Sequence, residues 1–202
     1  MEKIVVINGS HRAPLSNSRR FGKYLMKYMK TPSEEFLLNR NNHDEILKET
    51  FAAEKVVLLF PLYFDSPPSM LLTFLGRMEK MGQKYKGRPT VYVVINCGFA
   101  EHHHMEAAQR IIAYFLKKNG FPYGGAFMIG SGEAILDTPF RMLVTSKMKA
   151  FARAIDGGKP LNLSTQMPVP TILFVKIVNN FWALKGSAHG TTKESMKSMD
   201  IY

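Results

Sequence analysis

Four short apolar runs, Ile4–Ile7, Val56–Phe60, Val91–Ile95 and Ala126–Ile129, constrain this chain more than any other feature. None alternates with polar residues, so each reads as a strand buried on both faces, the condition of a parallel sheet covered by helices. A fifth run, Phe36–Leu38, is weaker. Helical patterns lie between them. Asn17–Lys30 places Phe21, Leu25 and Tyr28 at helical spacing, and Ser69–Met81, after Pro67 and Pro68, sets Leu71, Leu75 and Met78 on one side. Glu101–Lys118 carries Ala108, Ile111, Ile112 and Phe115 and stops at Asn119-Gly120, while Asp137–Ile155 carries Val144, Met148, Phe151 and Ile155. These stripes are core faces and point to no function by themselves.

The alternation predicts an α/β fold, an open parallel sheet with right-handed crossovers and helices on both faces. Five strands suit the order 2-1-3-4-5 and are too few for a full six-stranded dinucleotide fold. Composition breaks at Gly157-Gly158-Lys159-Pro160, so a sheet domain is expected over residues 1–156 and a helical C-terminal extension over 157–202. In that extension Ile172, Val175, Val178 and Trp182 form one helical stripe, and Phe174, Ile177, Phe181 and Leu184 the next, with Lys176 and Lys185 giving only a thin cationic face. Its longest uncharged apolar run, Ile172–Val175, is far below the ~20 residues of a transmembrane span. Surface of this breadth needs a cover, and a homodimer is the expected one.

At 202 residues, 46% hydrophobic and 21% charged, the chain can bury one sizeable core. A single cysteine, Cys97, excludes an intrachain disulfide and any multi-cysteine zinc or iron–sulfur site. That suits the reducing cytoplasm, and the start MEKIVVINGS fits no signal peptide. The net charge of +11 is densest at Arg19, Arg20, Lys23, Lys27 and Lys30. Charge alone is a weak warrant for nucleic acid, and neither zinc-finger spacing nor an aromatic RNA-binding signature accompanies it. The expectation is a basic surface that attracts small anionic ligands, not a nucleic-acid partner.

Three unusual loops follow the first, third and fourth strands, which the order 2-1-3-4-5 makes neighbours at one carboxyl edge. The first, in INGSHRAPLSNSRRF, runs into a helix N-terminus, where free N–H groups and the helix dipole favour an anion. Ser10, Ser16, Asn17 and Ser18 add donors there, and Arg12 a charge-assisted one. Helix capping by Ser16 or Asn17 would explain one residue of that set. Neither G-x-G-x-x-G nor G-x-x-x-x-G-K-[ST] occurs. The second, PLYFDSPPS, brings Pro61, Leu62, Tyr63, Phe64, Asp65 and Ser66 to the end of a buried strand, where aromatic side chains and backbone amides suit a flat heteroaromatic ring. A hydrophobic turn packed on the core is the plainer reading. The third, NCGFAEHHH, offers Asn96 and Gly98 to the polar edge of a ring, with Phe99 closing over it. Adjacent helical histidines point about 100° apart, so His102, His103 and His104 are not read as a metal site. Cys97 reads as a small core hydrophobe.

With these loops in place, the chain resembles the flavodoxin-like NAD(P)H-dependent FMN reductases and their relatives, the quinone reductases and iron–sulfur flavoproteins. INGSHRAPLSNS is similar to that family's phosphate loop, PLYFDSPPSMLLTFLGR to its flavin-ring loop, and NCGFAEHHHMEAAQRIIAYFLKKNGFPYGGAFMIGSGEAI to the third flavin loop and the helix and strand beyond it. The similarity covers roughly residues 3–155 in order and spacing. It implies FMN as the bound flavin, hydride from NADH or NADPH, and a small acceptor such as a quinone or free flavin. By the same resemblance Ser10, Arg12, Asn17 and Ser18 take the phosphate. Tyr63, Phe64, Asp65 and Ser66 border the ring, and Asn96, Cys97, Gly98 and Phe99 its polar edge. The cofactor carries such chemistry, so no residue is assigned as catalytic. Two departures stand out: the chain cannot build the cysteine cluster of the iron–sulfur relatives, and Leu15-Ser16-Asn17-Ser18 stands where relatives often have Gly-Asn-Thr. A flavodoxin-type electron carrier is the alternative, although such carriers are strongly acidic; a basic nucleic-acid or membrane-surface binder without flavin is a third.

Overall fold

The computed structural model describes residues 3–12, 14–192 and 194–198, and only the backbone of residues 185 and 197. Six parallel strands form one sheet in the order 2-1-3-4-5-6: β1 (Ile4–Asn8), β2 (Ser33–Leu37), β3 (Lys55–Pro61), β4 (Thr90–Asn96), β5 (Tyr123–Ile129) and β6 (Leu163–Thr165). The expected parallel α/β sheet and the order of its first five strands hold; the count of five does not. β6 is three residues long, lies inside the stretch expected to be extension, and pairs with the last residues of β5 through Phe127, Met128 and Ile129. So short a strand at a sheet edge needs no aliphatic run, which is why composition did not reveal it.

The helices are α1 (Asn17–Tyr28), α2 (His43–Ala52), α3 (Ser69–Gly82), α4 (Glu106–Lys118), α5 (Arg141–Asp156), α6 (Thr171–Ser187) and a single turn, α7 (Ser195–Ser198). α2 is an addition to the expected set. It buries Ile46, Leu47 and Phe51, too few apolar positions in ten residues to stand out as a stripe. His102, His103 and His104 precede α4 in a single 3₁₀ turn over His103–Met105, not in the helix itself. One sheet face presents Val5, Ile7, Val56, Leu58, Val91 and Val93 to α2, α3 and α4, which contribute Leu47, Phe74, Met78, Ile112 and Leu116. The other face carries Tyr92 and Phe127, whose rings meet Phe151 of α5 at 5.9 Å, and packs against α1 and α5. Because both faces are covered, strand residues have no polar side to alternate with. That is the physical source of the uninterrupted apolar runs. The chain divides into two compact units, one ending at Met167 and one beginning at Pro168.

β6 reaches the sheet because Gly125 leaves room for the chain leading into it, while Gly124 leaves room for the Tyr92 ring. The β4–β5 register shifts between Val91 and Tyr92, and Gly125 takes φ +111° beside that irregularity. A side-chain carbon at Gly125 would stand 2.0 Å from the Leu161 carbonyl oxygen, and one at Gly124 2.5 Å from the Tyr92 ring. Leu161 N–H donates to Gly124 O at 2.9 Å and Ala126 N–H to Asn162 Oδ1 at 2.9 Å, so the incoming backbone lies directly on the strand. Gly125→Ala combines a backbone clash with a φ that only glycine adopts comfortably. It should lower the free energy of urea unfolding by about 2–3 kcal/mol or more; an unchanged midpoint and slope would show that β6 does not press on this strand.

Candidate functional site

The carboxyl ends of β1, β3 and β4 lie side by side, with Asn8 paired to Leu59 and Pro61 to Asn96. The three loops that leave them are tied to one another. Ser18 Oγ donates to Asn96 Oδ1 at 2.7 Å, both residues buried, which joins the first loop to the third. Leu62 N–H donates to the Asn96 carbonyl at 2.8 Å, joining the second to the third. The His11 and Tyr63 rings stand 6.0 Å apart between the first and second.

In the first loop Asn8 Oδ1 accepts from Ser10 N–H at 3.1 Å and Ser10 Oγ from Arg12 N–H at 3.3 Å, two successive turns that carry the chain off β1. Ser16 is the N-cap of α1, its Oγ accepting from Arg19 N–H at 3.2 Å. Asn17 Nδ2 donates to Glu133 Oε2 at 2.9 Å, and Ser18 gives its proton to Asn96. Donor capacity therefore remains on the Ser10 and Ser16 hydroxyls and on the Asn17 and Ser18 backbone N–H groups, for which no partner occurs among the described residues. The exposed Arg12 guanidinium has no ion pair among them either. Other arginines nearby are committed: Arg19 to Glu35 at 3.3 Å, and Arg20 to Asp137 with Nη1 at 2.9 Å from a carboxylate oxygen. That bond holds the Asp137 carboxyl below its ordinary pKa. Lys23, Lys27 and Lys30 lie farther along the helix or past its end.

The second loop is a tight turn. Tyr63 and Ser66 exchange two backbone hydrogen bonds at 3.0 and 3.1 Å, and Phe64 and Asp65 between them both have positive φ, +48° and +57°. This is the two-residue turn in which glycine or asparagine is usual. Phenylalanine there costs backbone strain, and its ring is fully exposed at the tip. Pro67 and Pro68 then lead into α3.

The third loop is fastened to the loop after β5. Gly132 N–H donates to the Cys97 carbonyl at 2.7 Å and Ser131 N–H to that of Phe99 at 2.6 Å. Phe99 lies against His104 with ring centres 4.5 Å apart, and His104 stacks on His103 at 4.4 Å. His102 Nδ1 meets Gln166 Oε1 at 2.7 Å. Among the described residues no cluster of three or more His, Cys, Asp or Glu is placed to hold a metal ion. A side-chain carbon on Gly98 would meet only Glu133 Cγ, at 3.5 Å. Glu133, which the sequence reading did not single out, thus bonds to Asn17 beside the first loop and lies in front of Gly98 of the third. Its one signal is the turn Gly130-Ser131-Gly132-Glu133 leaving a buried strand at the same edge.

No protein-family model matches the chain, and no curated protein matches it in sequence. Solved structures do share its fold. An azoreductase from Bacillus anthracis str. Sterne superposes with a TM-score of 0.54 at 15% identity, covering 78% of this chain and 100% of its own. An FMN-dependent NADH-azoreductase from Bacillus anthracis str. Ames Ancestor, in complex with FMN, gives 0.54 at 14% identity over 76% of this chain and 98% of its own. An NAD(P)H:quinone oxidoreductase from Methanothermobacter marburgensis gives 0.56 at 13% identity over 75% and 94%. The architecture is flavodoxin-like, with a sixth strand added at the β5 edge.

Cys97 gives a direct test of how closed the third loop is. Burial is the main cause that pushes its thiol up to about 11; the Glu101 and Asp65 charges add to the rise and a hydrogen bond with the Phe99 backbone opposes it. Iodoacetamide labelling of the native protein at pH 8 should be about 100-fold slower than in urea and should quicken about tenfold per pH unit. Stability should fall as pH rises from the ordinary thiol value of 9.0 toward about 11, because the unfolded state releases a proton that the native state keeps. Rapid native labelling at pH 8 would contradict the closed geometry.

Proposed function

We propose that the chain is an FMN-dependent oxidoreductase that uses NADH or NADPH and passes electrons to a small acceptor such as a quinone or a flavin. The observation that carries this reading is the joining of the three loops at one sheet edge. An α1 N-terminus whose donors, like Arg12, have no partner among the described residues flanks a strained aromatic turn. Such a site offers an anion and a flat ring adjacent places. The structural neighbours, named as azoreductases and quinone oxidoreductases, support the same kind of reaction.

The residues present fit FMN. Its phosphate would take the Asn17 and Ser18 N–H groups, the Ser10 and Ser16 hydroxyls and Arg12, in place of water. Asn17 would turn its amide from Glu133, whose exposed carboxylate is free to swing into solvent. The ring would lie along Tyr63, Phe64, Asp65 and Ser66, beyond Pro61 and Leu62, with Asn96, Cys97, Gly98 and Phe99 at its polar edge. When bound, the flavin supplies the redox chemistry, accepting hydride from the pyridine nucleotide and releasing electrons to the acceptor. The chain's own work is to bind and orient. Asn96, fixed by Ser18 and Leu62, sets where the ring edge ends, and the exposed Phe64 and Phe99 shield it from water. With no group required to move a proton, none is assigned as catalytic. The single cysteine suits a reducing compartment such as the cytoplasm.

The deciding experiment is the visible spectrum of the purified protein, before and after adding NADH or NADPH without oxygen. Bleaching of a flavin band is expected. A yellow protein that neither nucleotide reduces would identify a carrier, and a protein that stays colourless with added FMN would overturn the reading. Arg12→Ala should weaken FMN binding by about 1.5–3 kcal/mol, the range for a hydrogen bond to a charged group, and riboflavin binding far less. Equal losses for both ligands, measured by fluorescence titration, would remove Arg12 from the phosphate.

A further inference from the structure

Next to the three joined loops, between the ends of β1 and β2, the carboxyl edge carries a cleft that the flavin reading does not use. Ser10 and His11 line one side, Leu38, Asn39 and Arg40 the other, and Met70 of α3 completes it; its volume is about 330 Å³. Both sides hang on Asn8. Its Oδ1 accepts from Ser10 N–H at 3.1 Å, and its carbonyl accepts from Leu38 N–H at 2.9 Å. Beyond Leu38 the chain reads Asn39-Arg40-Asn41-Asn42, and the asparagines hold its backbone. Asn42 Oδ1 accepts from Asn39 N–H at 2.9 Å, Asn39 Oδ1 accepts from Asn41 N–H at 2.8 Å, and Asn42 Nδ2 donates to the Leu37 carbonyl at 2.9 Å. Arg40 is carried at a turn whose asparagine groups are committed to the turn itself.

The polar lining contains no acid. Arg40 and His11 are exposed, and neither has an ion pair among the described residues. Leu38 and Met70 supply apolar surface beside them. A guanidinium fork matches two oxygens of a phosphate, and the His11 ring can add an N–H donor. The combination suits a flat uncharged ring system joined to a phosphate. The volume lies at the lower end of small-molecule sites, enough for a nucleoside phosphate.

Which nucleoside phosphate follows from position, and this step rests on the proposed flavin site. A pyridine nucleotide that reduces a ring along Tyr63–Ser66 must lay its adenosine half elsewhere on the edge. Toward the third loop the way is closed by the loop after β5, bonded from Gly132 to Cys97 and from Ser131 to Phe99. Toward the first loop the His11 ring stands 6.0 Å from that of Tyr63 and also lines the cleft, so the two places adjoin. A dinucleotide site for NADH sets a carboxylate against the ribose 2′-hydroxyl, whereas an arginine accommodates a 2′-phosphate. We propose that this cleft holds the adenosine 2′-phosphate of NADPH, with Arg40 on the phosphate, and so selects NADPH over NADH.

Three probes test it by calorimetric titration of the full-length protein. 2′,5′-ADP carries the phosphate, 5′-AMP lacks it, and 3′,5′-ADP moves it to the neighbouring hydroxyl. 2′,5′-ADP should bind at least about tenfold tighter than the other two, the effect of one hydrogen bond to a charged group, and Arg40→Ala should erase the difference. In steady-state reduction, the ratio of the KM for NADH to that for NADPH should fall at least about tenfold in the same variant. Arg40 is exposed on a turn held by other side chains, so the variant should melt with the parent. Equal binding of the three nucleotides overturns the proposal, as does a preference for 2′,5′-ADP that survives Arg40→Ala. Tighter binding of 3′,5′-ADP also overturns it and assigns the cleft to a 3′-phosphoadenosine carrier. The two readings fail separately. A flavin band bleached equally by NADH and NADPH keeps the flavin and removes the cleft. A protein that holds 2′,5′-ADP through Arg40 but stays colourless with added FMN keeps the cleft and removes the flavin.

Discussion

Asn96 is the point at which the carboxyl edge of the sheet becomes one surface instead of three loops. As the last residue of β4 it pairs with Pro61, its carbonyl accepts from Leu62, and its side chain accepts from Ser18. This pairing and both hydrogen bonds depend on parallel strands ending in step, which the burial of both sheet faces enforces. A slip of one residue would turn every strand side chain to the opposite face and dismantle the core. The precision of the edge therefore derives from apolar packing far from it, while the edge supplies only the polar contacts that hold the loops still.

Electrostatics refine that surface. The basic character of α1 is partly answered from elsewhere in the fold: Glu35 of β2 pairs with Arg19, and Asp137 after β5 pairs with Arg20. Near the helix N-terminus Arg12 and the Asn17 and Ser18 backbone N–H groups have no partner among the described residues. Glu133 is set against Asn17 at the same place, so the loop after β5 contributes an acid exactly where loop and helix would otherwise be purely cationic in character. An exposed pair of this kind adds little to stability. Its weight is in deciding which donors face outward.

The two units differ in how their apolar surface is used. In the first, most apolar strand residues are buried under helices of the same chain, single apolar side chains such as Ile111, Tyr114 and Met142 stay exposed on the helices, and Phe64 and Phe99 stand exposed on the loops of the candidate site. In the second, α6 leaves apolar side chains exposed along a full stripe with no acid to interrupt it.

The sequence by itself determined the parallel sheet, because residues buried on two faces must be apolar without interruption, and it suited the order 2-1-3-4-5 without fixing it. It also marked the loop after β1 as unusual, since its polar side chains exceed what a turn needs. Tertiary structure alone decided the rest. β6 owes its place to Gly125 against the Leu161 backbone, not to any run of its own, and α2 is held by packing that ten residues barely announce. Which side-chain donors remain available depended on partners 78 and 116 positions away, Asn96 for the Ser18 hydroxyl and Glu133 for the Asn17 amide. Local pattern reports what a residue must hide from water; only the folded chain fixes which distant group it meets when it does.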